Sequence, residues 1–346
     1  MNIRRRFFLQ LGAGAALSTA LHACANSGQS TTQAEVASSP DSGSGGADPG
    51  KISIGFWPVA AGLPLFLAVE KGYFREAGLD VEAVQFASAQ QVAEGIIAGR
   101  LQGSGNGTAS GALGLAEIAS PGLFKILASN PSNEDLKLEQ FIVAKDSPVQ
   151  SIADLAGKRV ASGPGAQNKV IAEAVLKANG IEDIEVLQLE IRQHVAAIES
   201  GQIDAAYTLE PTGTVGEMNG LTRILENGVV STYILGNPKA PWFGGSATLS
   251  TQFIEAYPEA AATYAEAYRR AIEEIRTNPD EVRQYLVGYT AIEGELVERV
   301  PLVGYTMFDE FTPEDVEYFQ AFFDFMTESD VFSKRVEVAP LIYSPA

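Results

Sequence analysis

A chain of 346 residues with 46% hydrophobic and 9% aromatic residues has enough apolar surface for one large or two ordinary globular domains. Its formal charge of −19 repels phosphate backbones and argues against nucleic acid as a partner. The single cysteine, Cys24, excludes an internal disulfide, a Cys-ligated zinc site and a thiol nucleophile in the folded body.

Residues 1–24 combine a short basic region, a Gly/Ala-rich apolar run too short to span a bilayer as a mature helix, and the Cys. Arg5, Arg6, Phe7, Phe8 and Leu9 match the twin-arginine export pattern. Leu21, His22, Ala23 and Cys24 resemble a bacterial lipobox, in which the Cys is acylated and becomes the first mature residue. An ordinary signal peptide with an incidental Cys is the alternative, because His22 is unusual in a lipobox. The expected location is the periplasm or the cell surface, with the lipid on Cys24 holding the protein to a membrane. Residues 25–50 are Ser/Gly-rich, the composition of a flexible tether. Removing the leader removes three arginines and no acid, which takes the formal charge from −19 to −22.

The folded body begins with a strand at Lys51 to Phe56. A helix opens at Pro64, where the missing N–H is tolerated, and Leu65, Phe66, Val69 and Tyr73 recur at helical spacing as one buried face. Glu70, Lys71, Arg75 and Glu76 fill its other face, Gly78 stops it, and Asp80 to Gln85 is a second strand. Ala89 to Ala98 reads as a helix, Leu101 to Gly105 as a short strand, Asn106 to Thr108 as a loop, and Ala109 to Ala119 as a helix. Leu123 to Ala128 and Gln140 to Ala144 are further strands. The pattern then starts again, with strands at Lys158 to Ala161 and Glu185 to Leu189 around a helix at Gln167 to Ala178. An offset of 102 residues lays Val84 on Val186, Gln91 on Gln193, Ile96 on Ile198, Gly99 on Gly201 and Leu101 on Ile203.

Two similar α/β lobes are the economical reading, each a mixed, mostly parallel sheet flanked by helices. The expected division is lobe 1 at 51–144, lobe 2 at 145–239, and a return of 240–346 to lobe 1. That return carries a strand at Ala247 to Ser250 and helices at Pro258 to Thr277, Pro279 to Val287 and Pro313 to Met326. The crossings fall near Lys145 to Pro148 and Gly236 to Pro241.

Ligands of parallel α/β sheets sit beyond the carboxyl ends of the strands, where helix N-termini offer N–H groups. Lobe 1 offers Trp57 and Pro58, then Ser88 and Gln90, then Asn106 and Thr108. Lobe 2 offers Ser162 and Gly163, then Arg192, then Tyr207 and Glu210. Trp57 is either core packing or a stacking surface. Glu210 either starts a helix or accepts hydrogen bonds from a ligand amine. Arg192 is a solvated residue or the cation for an anionic ligand. Trp242 and Phe243 pack the hinge or cover the cleft, and Ser88 and Ser162 read first as N-caps. His194 reads as a helix residue, since no second His and no acid at metal-binding spacing accompanies it. No cofactor and no metal is expected.

The stretch AVEKGYFREAGLDVE within Pro64 to Val81, with IIAGRLQGSGNG, SIADLAGKRVASGPG and IESGQIDAAYTLEP, resembles the solute-binding proteins of ABC importers for nitrate, aliphatic sulfonates, taurine and thiamine precursors. The resemblance covers Lys51 to about Val287. It implies a two-lobed periplasmic-binding-protein fold of type II that acts as a monomer, closes on a small solute, and docks on a permease served by an ATPase. Trp57 and Pro58 are similar to the first-strand loop of thiamine-precursor binders, where aromatic rings sandwich a pyrimidine, and Tyr207 with Glu210 would suit that ligand. Val59, Ala60 and Ala61 stand where that branch often has Asn and His. Sulfonate and nitrate binders rely on N–H groups, hydroxyls and a cation, which Ser88, Thr108, Ser162 and Arg192 could supply. Related enzymes use a Cys-rich iron motif or a Cys nucleophile, and the lone leader Cys offers neither. Competing readings are an exported hydrolase-like enzyme, with His194 as its sole imidazole, and a ligand-sensing lobe serving a receptor.

Overall fold

A computed structural model describes residues 48–345. The leader, the lipobox at Cys24 and the tether up to residue 47 lie outside the described residues. Eleven strands follow in order: β1 (Lys51–Phe56), β2 (Asp80–Gln85), β3 (Gly103–Ala109), β4 (Phe124–Ser132), β5 (Glu139–Ala144), β6 (Val160–Ser162), β7 (Leu187–Gln188), β8 (Ala205–Leu209), β9 (Thr222–Asn227), β10 (Trp242–Ser250) and β11 (Thr306–Met307). They form two mixed sheets, ordered β2-β1-β3-β10-β4-β11 and β7-β6-β8-β5-β9.

The two sheets share one plan. In the first, β1 is parallel to β2 and β3, and β10 runs antiparallel between β3 and β4. In the second, β6 is parallel to β7 and β8, and β5 runs antiparallel between β8 and β9. The internal repeat has a structural counterpart: β3 and β8 begin at Gly103 and Ala205, and Gly99 (φ 67) and Gly201 (φ 70) both end the preceding turn left-handed.

The strand at Gln140 to Ala144 was expected in the first lobe, but β5 belongs to the second sheet. The chain therefore crosses between Ser132 and Glu139, ahead of Lys145. Phe141, Ile142 and Val143 are fully buried, and such an all-apolar strand suits a central place in either sheet, so composition does not choose between them. The return runs between Asn227 and Trp242 and includes Gly236 to Pro241.

The two crossings lie side by side. The Ser231 hydroxyl sits 3.1 Å from the Ser132 carbonyl and 2.7 Å from that of Ala240, Asn133 Nδ2 donates to Lys239 O at 3.1 Å, and Glu134 N donates to Pro238 O at 3.2 Å. Gly228 takes φ 65 here, and a Cβ on it would stand 2.6 Å from the Glu134 nitrogen. Only glycine fits both demands.

The opening helix is shorter than its pattern suggested. It spans Leu63–Glu70, breaks at Gly72 (φ 74), and a second short helix follows at Tyr73–Glu76. Leu63 to Ala68 are all buried, because the helix lies between the first sheet and the long helix Pro258–Thr277. The closing helix Pro313–Glu328 starts with a capping box of Thr312 and Asp315. It buries Phe319 and Phe322 against β10, with ring centroids 5.3 Å from Phe243 and 5.5 Å from Trp242. The C-terminal segment thus completes the first sheet, as its lack of partner strands implied.

Candidate functional site

Strand ends from both sheets open on one cavity of about 650 Å3. Trp57 and Pro58 reach it from the end of β1, Phe86 and Ala87 from β2, Pro164 from β6, Glu190 and Arg192 from β7, and Glu210 from β8. Tyr289 and Thr290 close it from the segment after the long helix.

Trp57 is part of the cavity wall. Its indole Nε1 donates to the Gly107 carbonyl on β3 at 2.6 Å, and its ring also borders a second space of about 220 Å3. Only 6% of Trp57 is exposed, so packing and cavity wall are the same side chain here. Glu210 is fully buried and also borders the cavity. Its carboxylate accepts from Gln140 Nε2 at 3.2 Å, Thr214 Oγ1 at 3.0 Å and Thr214 N at 3.3 Å. Burial pushes that carboxyl up from its ordinary value, and the bonds from Thr214 and Gln140 oppose the shift. Arg192 is exposed on the cavity rim and makes no ion pair among the described residues.

The other expected residues lie elsewhere. Gln90 borders the smaller space and donates to Glu94 at 3.1 Å. Ser88 caps the helix Ala89–Ile97, accepting from Gln91 N at 3.3 Å, and does not line the cavity. Asn106 and Thr108 are not in a loop: β3 continues to Ala109 because Thr108 and Ala109 pair with Ser246 and Gly245 of β10. Both are buried. Asn106 Nδ2 donates to Asn130 at 3.1 Å, its Oδ1 accepts from the Tyr268 hydroxyl at 2.7 Å, and Thr108 Oγ1 donates to Gly105 O at 3.0 Å. The Ser162 hydroxyl donates to Gly163 O at 3.1 Å, and a Cβ on Gly163 would meet Ile191 at 2.8 Å. Tyr207 is buried with its ring 5.6 Å from Phe141, in the core of the second sheet. Trp242 opens β10 as a core residue and borders only a space of about 20 Å3.

Sequence reasoning missed Gln140, Tyr289 and Gln167. Gln167 Oε1 accepts from Gly111 N at 2.5 Å and its Nε2 donates to Gly244 O at 3.1 Å, so a helix of the second lobe is bonded to the first. A Gln near a helix start looks solvent-facing in sequence, which hides this bridge. His194 is buried with Nε2 3.1 Å from Leu189 O, and burial pushes its imidazole down to about 4. Among the described residues, no group of three His, Cys, Asp or Glu side chains could hold a metal.

The sequence model described as NMT1/THI5 like matches residues 60–282. The chain belongs to that family. A Bacillus subtilis protein named for binding aliphatic sulfonates is 26% identical over 286 residues, covering 81% of this chain and 82% of its own. The nitrate/nitrite-binding protein NrtA of Synechococcus elongatus is 26% identical over 244 residues, 60% of this chain and 53% of its own. Among solved structures, the alkanesulfonate-binding protein SsuA of Xanthomonas axonopodis pv. citri, bound to MOPS, aligns with a TM-score of 0.70 at 22% identity, covering 86% of this chain and 99% of that one. The two sheets of this family member thus form a type II periplasmic-binding-protein fold.

Proposed function

We propose that the protein is the solute-binding component of an ABC importer, closing two lobes on a small organic solute and passing it to a permease. The observation that carries this reading is the cavity of about 650 Å3 between the strand ends of the two sheets, with Trp57, Arg192 and Glu210 in its wall. Its size suits an organic molecule far better than a lone inorganic oxyanion. The buried His194, held against a backbone carbonyl, offers no accessible base, which favours a binding protein over a hydrolase. The leader reading adds export by the twin-arginine route and a lipid on Cys24.

An organic sulfonate is the favoured ligand. Arg192 is a rim cation without an acidic partner among the described residues, and a relative is named for that class. The Glu210 carboxylate, in a cavity that Trp57 and Tyr289 also line, supports a second reading, a nitrogen-bearing ring that donates N–H to the acid. A thermal-shift panel of sulfonates, nitrate, bicarbonate, pyrimidines and flavins tests both, because binding to the folded state raises the melting temperature by mass action. Stabilisation by a sulfonate that is lost in Arg192→Gln and kept in Glu210→Gln supports the first reading, and the reverse pattern the second. No shift with any compound at millimolar concentration sinks the small-solute reading.

A further inference from the structure

Trp57 and Pro164 each border both the main cavity and the second space of about 220 Å3. The two spaces are neighbouring compartments of one cleft. The smaller one is walled by Ala89, Ala93 and Ile97 on one helix and by Ala112, Leu115 and Ala116 on the next, Ser110–Ala119. Ile97 is 45% exposed and Leu115 37%, two of only four large hydrophobic side chains left exposed among the described residues. Glu94 is the one charged residue on its border, and it takes a hydrogen bond from Gln90. Ile97 and Leu115, left in water beside this mostly apolar space, leave burial energy unused unless something apolar fills it.

We propose that this compartment receives the apolar tail of a ligand whose polar head lies in the main cavity, so that the solute is a single-headed amphiphile. This rests on the solute-binding reading above. A methylene needs about the 30 Å3 share of a water molecule, so the space holds a chain of roughly six or seven carbons. The shared walls at Trp57 and Pro164 favour a ligand tail over a segment of the permease or a second copy of this chain, because either of those would enter from outside and leave the main cavity uninvolved.

The test is calorimetric titration of the mature protein with n-alkanesulfonates from methane- to decanesulfonate. The dissociation constant should fall roughly fourfold per methylene until about six carbons and then level off. Ala112→Phe, which fills the space, should shrink the ratio between the methane- and octanesulfonate constants from several hundredfold to near one. Leu115→Gln, at an exposed position where folding is not at stake, should lower the same ratio about tenfold. If methanesulfonate binds and affinity is flat with chain length, the tail compartment is refuted and the importer reading stands. If no sulfonate of any length binds, the sulfonate reading fails and takes the tail compartment with it.

Discussion

Trp57 and Trp242 sit at the end and the start of strands in the first sheet, but only Trp57 borders the open cavity, while Trp242 packs edge-on against Phe322. They are the only two tryptophans in the chain, so ligand-induced fluorescence has two candidate sources. The change should persist in Trp242→Phe and vanish in Trp57→Phe; the opposite pattern would move the ligand away from Trp57. A second residue-scale expectation concerns Glu139, which is fully buried beside the crossings and accepts from Val229 N at 3.3 Å and Val230 N at 3.4 Å. Burial pushes its carboxyl from 4.5 up to about 8. A folded-state value above the unfolded one favours the protonated acid, so its stabilising contribution is complete below pH 4.5 and is lost as pH rises through about 8. His194 has the opposite sign, contributing above 6.5 and losing that contribution as pH falls through about 4. Urea titrations should show Glu139→Gln flattening the decline above pH 4.5 by a few kcal/mol, and an unchanged slope would acquit Glu139. At this scale Trp57, Arg192 and Glu210 border the cavity, each a short way after a strand, the position from which the sequence proposed them. Sequence reasoning misplaced Tyr207 because the face a strand residue presents depends on what packs on each side of the sheet, and sequence supplies neither.

Element by element, the parallel units were legible because helical and strand periods alternate there and left-handed glycines mark the turns. What could not be read was which sheet receives an interior strand. β5 is inserted into the second sheet after a crossing, and its apolar run carries no address. The crossings themselves are held by polar bonds among Ser132, Asn133, Ser231 and Lys239, with Gly228 pressed against the opposite backbone. Gly228→Ala therefore adds both a left-handed strain and a steric clash, and should lower unfolding free energy by about 2 kcal/mol in chemical denaturation. A loss below about half a kcal/mol would mean that the neighbouring crossing yields readily.

For the whole molecule, the bridge from Gln167 to Gly111 and Gly244 joins the lobes beside the cleft. Those bonds can form only when the lobes are together, so Gln167→Ala should favour an open form. Small-angle scattering with saturating ligand should then show a larger radius of gyration than the parent, and stopped-flow release should be about tenfold faster, as expected from losing two buried hydrogen bonds. Equal radii and equal release rates would reduce the bridge to packing. Such closure needs both crossings to move in concert, because each is bonded to the other.

The first sheet draws its strands from both ends of the described chain. β10, from Trp242 to Ser250, separates β3 from β4, while all five strands of the second sheet lie between Glu139 and Asn227. During synthesis the inner lobe is therefore complete while its partner still lacks a central strand, and a chain halted before residue 242 should leave β3 and β4 with raw edges exposed to aggregation.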